Sequence, residues 1–211
     1  MNRSVKFFET QFRRQVREGE YALNPFETLA IPYLHGSVLD LGCGLGNLAI
    51  EAARRGSQVL GLDASPTAIR RIQSVVADLN LPIVALKTDL DTYRILADYD
   101  VIVAIGLLMF MQKLRARNML NDIKQHVKPG GCAIVNVLVE GTTYMDMFEE
   151  GRFYLFGATE LQDAFRGWVI LESTADEFEA PGGTVKKFAT VIARKGHSRL
   201  EPDPAIPANS Q

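Results

Sequence analysis

Apolar positions change their period several times along the chain. Val5, Phe8, Phe12 and Val16 recur at spacings of three and four, which predicts an amphipathic helix over residues 5–16. Gly19 and the pair Asn24–Pro25 break that pattern, and Pro25 suits the first turn of a second, short helix. From residue 37 onward, short β-branched runs alternate with helical patterns. Strands are predicted at 37–41, 58–62, 83–87, 99–104 and 132–139, and helices at 46–55, 66–78 and 114–126. Ser65 stands where an N-cap of the 66–78 helix belongs. Lys128–Pro129–Gly130–Gly131 reads as the stop of the last helix and the turn into the strand after it. Such alternation builds a mostly parallel sheet covered by helices on both faces. Two late runs, 168–173 and 185–193, flank Pro181–Gly182–Gly183 and read as an antiparallel pair at one edge. The chain thus divides into an N-terminal helical cap over 1–25, an α/β domain over 26–195 and a tail over 196–211. The tail is proline-bearing and poor in apolar residues, and reads as disordered.

Composition narrows the function classes. The chain has 211 residues, with 23 basic against 25 acidic side chains and a net charge of -2, so no general attraction to nucleic acid is built in. The first twenty residues carry charges throughout, unlike a secretory leader. The longest apolar run, 101–111, is too short to cross a bilayer and reads as a buried strand with its exit loop. The expectation is a cytoplasmic protein with no membrane partner. Cys43 and Cys132 lie far apart and read as reduced thiols. His35, His126 and His197 share no spacing that would gather a metal, so no metal site is expected.

The most informative stretch is VLDLGCGLGNLAI, residues 38–50. It sets Gly42, Gly44 and Gly46 between an apolar strand and an amphipathic helix, where a backbone turns tightly and leaves room for a ligand. Asp63 ends the next strand, 21 positions after Gly42, where a carboxylate meets ribose hydroxyls. These elements point to a nucleoside. The spacing GxGxG differs from the GxGxxG of dinucleotide sites. Asp40 also stands just before the loop, and an unpaired carboxylate there opposes a pyrophosphate. S-adenosyl-L-methionine carries a sulfonium and an amino group instead of phosphates, and tolerates that charge.

With these motifs the chain resembles class I S-adenosylmethionine-dependent methyltransferases over roughly residues 26–195. VLDLGCGLG matches their glycine motif, VLGLDAS their acidic loop, KTDLDT the segment before the fourth strand, and VKPGG the turn before the fifth. LLMFM and KKFATVIARK look most like the tellurite-resistance methyltransferase group. The resemblance implies a Rossmann-like α/β fold with a seven-stranded, mostly parallel sheet in the order 3-2-1-4-5-7-6, strand seven being antiparallel. It implies S-adenosyl-L-methionine as cofactor. Asp40, Gly42, Cys43 and Gly44 would then serve the methionine and ribose, and Asp63 the ribose hydroxyls. Ala64, Ser65, Asp89 and Leu90 would surround the adenine, and Ile105 and Gly106 would lie beside the methionyl portion. Cys43 reads either as a thiol activated near a helix N-terminus or as a small packed loop residue.

No catalytic dyad is visible, and methyl transfer from a sulfonium needs none when the acceptor arrives deprotonated. The acceptor reads as a small molecule, a thiol or chalcogen species among the candidates. Residues 141–165 bring Tyr144, Met145, Met147, Phe148, Phe153, Tyr154 and Phe156 together, either as a pocket wall or as core. Residues 12–24, with Tyr21 as a further cofactor contact, read either as a lid or as a helix docked for packing alone. One departure from the tellurite-resistance group concerns the substrate. Phe178, Glu179 and Ala180 fall where those proteins carry a histidine–arginine pair, and only one of Lys186 and Lys187 can face inward from a strand. An NAD-dependent oxidoreductase and a non-enzymatic cofactor-binding interaction protein remain open beside the methyltransferase, and the oligomeric state is not specified.

Overall fold

The computed structural model describes residues 3–197. The expected disorder of 196–211 therefore falls almost wholly outside the described residues. In chain order the elements are α1 (Arg3–Glu18), α2 (Pro25–Ala30), β1 (Ser37–Leu41), α3 (Asn47–Arg54), β2 (Gln58–Asp63), α4 (Pro66–Leu79) and β3 (Ile83–Lys87). There follow β4 (Tyr99–Ile105), α5 (Lys113–His126), β5 (Val127–Leu138), α6 (Glu160–Ala164), β6 (Val169–Ala180) and β7 (Thr184–Arg194). The seven strands form one sheet in the order β3-β2-β1-β4-β5-β7-β6. β7 runs antiparallel to both neighbours, and the other pairings are parallel. This is the expected Rossmann-like topology.

Local chemistry explains the boundaries. Asn24 and Glu27 close a reciprocal capping box on α2, with Asn24 Oδ1 accepting from the Glu27 N–H at 2.9 Å and Glu27 accepting from the Asn24 N–H at 2.8 Å. Ser65 caps α4 through the Ala68 N–H at 3.1 Å. One sheet face packs Leu39, Leu41, Ile102, Met119, Ile123, Phe156 and Phe165 with α5. The other packs Val38, Val101, Val103 and Ile134 against α3 and α4. Burying large aliphatic and aromatic side chains at about 2–3 kcal/mol each makes this two-faced core the main source of stability.

Two expectations are corrected. Lys128–Gly131 is not a plain turn ahead of β5. The strand already pairs at Val127 with Tyr99, bulges, and resumes with Cys132 opposite Val101. Gly131 fits there because a Cβ would stand 2.5 Å from the Asp100 carbonyl oxygen. The late strands are also longer than their apolar runs, reaching Ala180 and starting at Thr184. Acidic residues on both sides of β6 hide the alternation, since this hairpin end is solvated. β7 pairs with β5 only from Arg194 to Phe188, so Thr184–Lys187 and their β6 partners project beyond the end of β5.

Candidate functional site

β1 and β4 end side by side at the carboxyl edge of the sheet, where the strand order reverses and the crossovers leave a crevice. A cavity of about 650 Å³ opens there. Its lining includes Asp40, Gly42, Cys43, Gly44, Asp63, Ala64, Ser65, Asp89, Leu90, Ile105 and Gly106. Of the residues assigned to the cofactor from the sequence, Tyr21 alone stands elsewhere. It lines a separate outer groove beside α3 and α4. There the Arg71 guanidinium sits 4.0 Å over its ring, and this stacking holds Tyr21 away from the cavity.

The glycine loop is shaped by what presses on it. Gly44 has φ 52° and would push a Cβ within 3.3 Å of the Phe12 ring, and Gly46, at φ 75°, would drive one within 2.4 Å of Ile72. Loop and acidic strand end are joined directly. Asp63 Oδ2 accepts from the Gly44 N–H at 2.9 Å and Oδ1 from the Ser65 N–H at 2.8 Å. The carboxylate still has lone-pair capacity for a further donor.

Carboxylates dominate this end of the cavity. Glu27, Asp40, Asp63, Asp89 and Asp91 all line it. Burial pushes Asp40 up from 3.8 to about 8, with Glu27 and Asp63 adding repulsion. Burial also raises Asp63, against the N–H donors of Ser65, Gly44 and Ala64. Cys43 is buried, and burial together with Asp40 and Asp63 pushes its thiol well up. The activated-thiol reading fails for that reason. Cys43 is a packed residue, and a Cβ on Gly61 would come within 3.1 Å of its sulfur. Lys186 is the single cationic side chain among the described residues of the lining.

Three segments enclose the cavity. α1 crosses it with Phe7, Phe8, Gln11, Phe12 and Gln15 in the lining, and the chain after it adds Ala22 and Asn24. Its anchor is Glu9, which the sequence reading passed over. The Glu9 carboxylate accepts from the hydroxyls of Ser65 at 2.6 Å and Thr67 at 2.7 Å, and pairs with Arg13 at 2.8 Å. Burial raises this carboxyl, but the bonds from Ser65, Thr67 and Arg13 outweigh it and bring it from 4.5 down to about 2. The signal was a carboxylate on the apolar stripe, four residues after Val5 and three before Phe12. The segment 141–165 divides its work. Tyr144 and Met147 line the cavity, Phe148 and Phe153 stack at 4.9 Å behind them, and Phe156 and Phe165 are fully buried core. From the other side the β6–β7 hairpin brings Pro181, Lys186 and Phe188. Lys187 turns away to Glu177 at 3.1 Å, as strand alternation requires. Glu179 is exposed and outside the lining, and Phe178 packs edge-on against Phe26 and Phe188 at 5.8 Å.

Comparison with known proteins agrees with this architecture. A family model described as a methyltransferase domain matches residues 38–131. The probable S-adenosyl-L-methionine-dependent methyltransferase TehB of Haemophilus influenzae is 28% identical over 165 residues, which is 75% of this chain and 57% of that protein. Hemagglutinin 1 of Eikenella corrodens is 29% identical over 164 residues, 74% of this chain and 54% of its own. The chain therefore spans little more than half the length of these curated relatives. The crystal structure of Haemophilus influenzae TehB superposes with a TM-score of 0.72 at 24% identity, covering 86% of this chain and 65% of that one. The N-methyltransferase NodS of Bradyrhizobium japonicum gives 0.66 at 16% identity, with coverage of 92% and 99%. With its sheet order, glycine loop and acidic strand end, the chain has a Rossmann-like α/β fold of the methyltransferase type, and its sequence is similar to a methyltransferase domain over residues 38–131 and to TehB.

Proposed function

We propose that this chain binds S-adenosyl-L-methionine in the cavity and transfers its methyl group to a small-molecule acceptor. The observation that carries the proposal is the charge of the site. Five carboxylates line it, and burial, with Glu27 and Asp63 adding repulsion, pushes Asp40 up to about 8. A pyrophosphate would meet repulsion there, whereas a ligand bearing a sulfonium and an ammonium supplies the missing positive charge. When bound, the cofactor supplies an already activated methyl group. The free lone pairs of Asp63 suit a ribose diol, and Asp89 suits an exocyclic amine. The N-terminus of α3 has no side-chain cap and offers its first amide hydrogens to a carboxylate.

The acceptor's nucleophile forms its bond to the methyl carbon as the carbon–sulfur bond breaks, and the electron pair stays on sulfur. Its proton leaves to solvent beforehand, since Cys43 is no base. α1 and the hairpin hold the reactants in line and exclude water. A cavity roofed from both sides suits a small acceptor better than a polymer. Calorimetric titration with S-adenosylmethionine, S-adenosylhomocysteine and NAD tests the reading. Micromolar binding of the two adenosyl ligands is expected, and preference for NAD overturns it. Adenosyl binding without turnover of any acceptor across a panel of thiols, phenols and chalcogen oxyanions would favour an interaction scaffold instead.

A further inference from the structure

Opposite the acidic end, one face of the sheet carries a second set of cavity residues. Register places Asn136 beside Thr190 and Leu138 beside Phe188 on β5 and β7, and Phe178 beside Lys186 on β6 and β7. Side chains two apart on a strand share a face, so Asn136, Leu138, Phe188 and Lys186 form one row. All four line the cavity. The row begins next to the cofactor end, where Asn136 pairs with Ile105 and its carbonyl accepts from the Gly106 N–H at 3.0 Å. It finishes on the projecting hairpin, four residues or about 13 Å farther along β7.

The two ends of this row are polar and incompletely partnered, and the middle is apolar. Asn136 is fully buried and donates to the Thr190 hydroxyl at 2.9 Å, yet its side-chain oxygen has no partner among the described residues. Lys186 lies over the Tyr144 ring at 4.5 Å, and no carboxylate forms an ion pair with it among the described residues. Burial lowers its pKa, so its charge is poorly hydrated. Between them Leu138, Phe188, Met109, Phe110 and Met147 supply apolar walls.

We infer that Lys186 is the specificity-determining residue for the methyl acceptor, and that the acceptor is a small aromatic acid. Its carboxylate meets Lys186 at the hairpin, its ring fills the apolar stretch, and its nucleophilic O–H or S–H end reaches Asn136 beside the methyl group. An unassisted oxyanion would leave the aromatic walls unused, and a neutral arene would leave Lys186 unpaired. This inference rests on the methyltransferase reading, because the cofactor end fixes which end of the acceptor carries the nucleophile.

The test is calorimetry on the full chain saturated with S-adenosylhomocysteine, titrated with 4-hydroxycinnamate, long enough to reach toward both ends of the row, and with its neutral isostere 4-hydroxycinnamamide. The cinnamate should bind about tenfold tighter, the worth of one charge-assisted contact. Lys186→Met, which keeps the stem packed on Tyr144, should bring the ratio to about one, and Lys186→Arg should retain the preference. Equal affinity for the pair, binding of neither, or a preference that survives Lys186→Met overturns the assignment. Failure of S-adenosylhomocysteine itself to bind is a separate result, visible before any acceptor is added, and removes the methyltransferase reading along with the inference.

Discussion

Replacing Glu9 with Gln should release α1 from the cavity while leaving the sheet intact. Glu9 is 6% exposed and takes two short hydroxyl bonds, from Ser65 and Thr67, besides the Arg13 guanidinium. Its fall from 4.5 to about 2 corresponds to a ceiling of about 3 kcal/mol of preference for the charged form in the folded protein. Gln keeps an acceptor oxygen but loses the charge, so a loss of about 1.5–3 kcal/mol in α1 docking is expected. Hydrogen exchange read on peptides covering Arg3–Glu18 should speed up by roughly ten- to a hundredfold. Peptides from β1, β4 and β5 should change little, and affinity for S-adenosylhomocysteine should fall. The pH dependence has a definite sign. A depressed carboxyl stabilises above its unfolded value, so the stability gap between wild type and Glu9→Gln should be complete above pH 4.5 and close as pH drops toward 2. Unchanged exchange in α1, or equal acceleration throughout the sheet, would refute the claim that Glu9 is a local latch.

Asp40→Asn should stabilise the unliganded protein at neutral pH. The group is raised in the folded state, so wild-type stability is lost as pH rises from 3.8 toward about 8, and thermal melts across that range should show the gap widening and then levelling. The same variant should flatten the rise in S-adenosylmethionine affinity with pH that charging of Asp40 produces in wild type. Asp63→Ala should weaken S-adenosylhomocysteine by about 1.5–3 kcal/mol in calorimetry, the worth of hydrogen bonds to a charged group. Unaltered affinity would show that Asp63 serves only the loop. Gly46→Ala should cost about 1–3 kcal/mol in denaturant unfolding, since it combines positive φ with a clash on Ile72, and pairing it with Ile72→Ala should cost less than the two changes added.

The sheet and the acidic end of the cavity were readable because each is encoded locally. Tight turns need glycine, the crossover needs a fixed length, and apolar period separates strand from helix, so spacing and family resemblance bring Gly42, Gly44, Asp63 and Asp89 to one place, and all four line the cavity. What escaped depends on contacts between distant segments. Glu9 finds Ser65 and Thr67 across 56 and 58 residues. Asn136, and the choice of Lys186 over Lys187 as the inward lysine, depend on strand register, which apolar pattern alone does not specify when both ends of a hairpin are solvated. A tyrosine near a site looks the same in sequence whether its ring turns inward or, as Tyr21 does, lies under an arginine.

The roof over the cavity also has an evolutionary consequence. The family match ends at residue 131, yet Phe7, Phe8, Tyr144, Met147, Lys186 and Phe188 all lie outside it. Much of the apolar lining of the cavity is thus carried outside the matched span, on α1, the 141–165 segment and β7, none of which contributes a carboxylate to it. A lineage can vary those segments, or an engineer can exchange them, and so change which molecules the cavity admits while the glycine loop and the acidic strand end stay as they are.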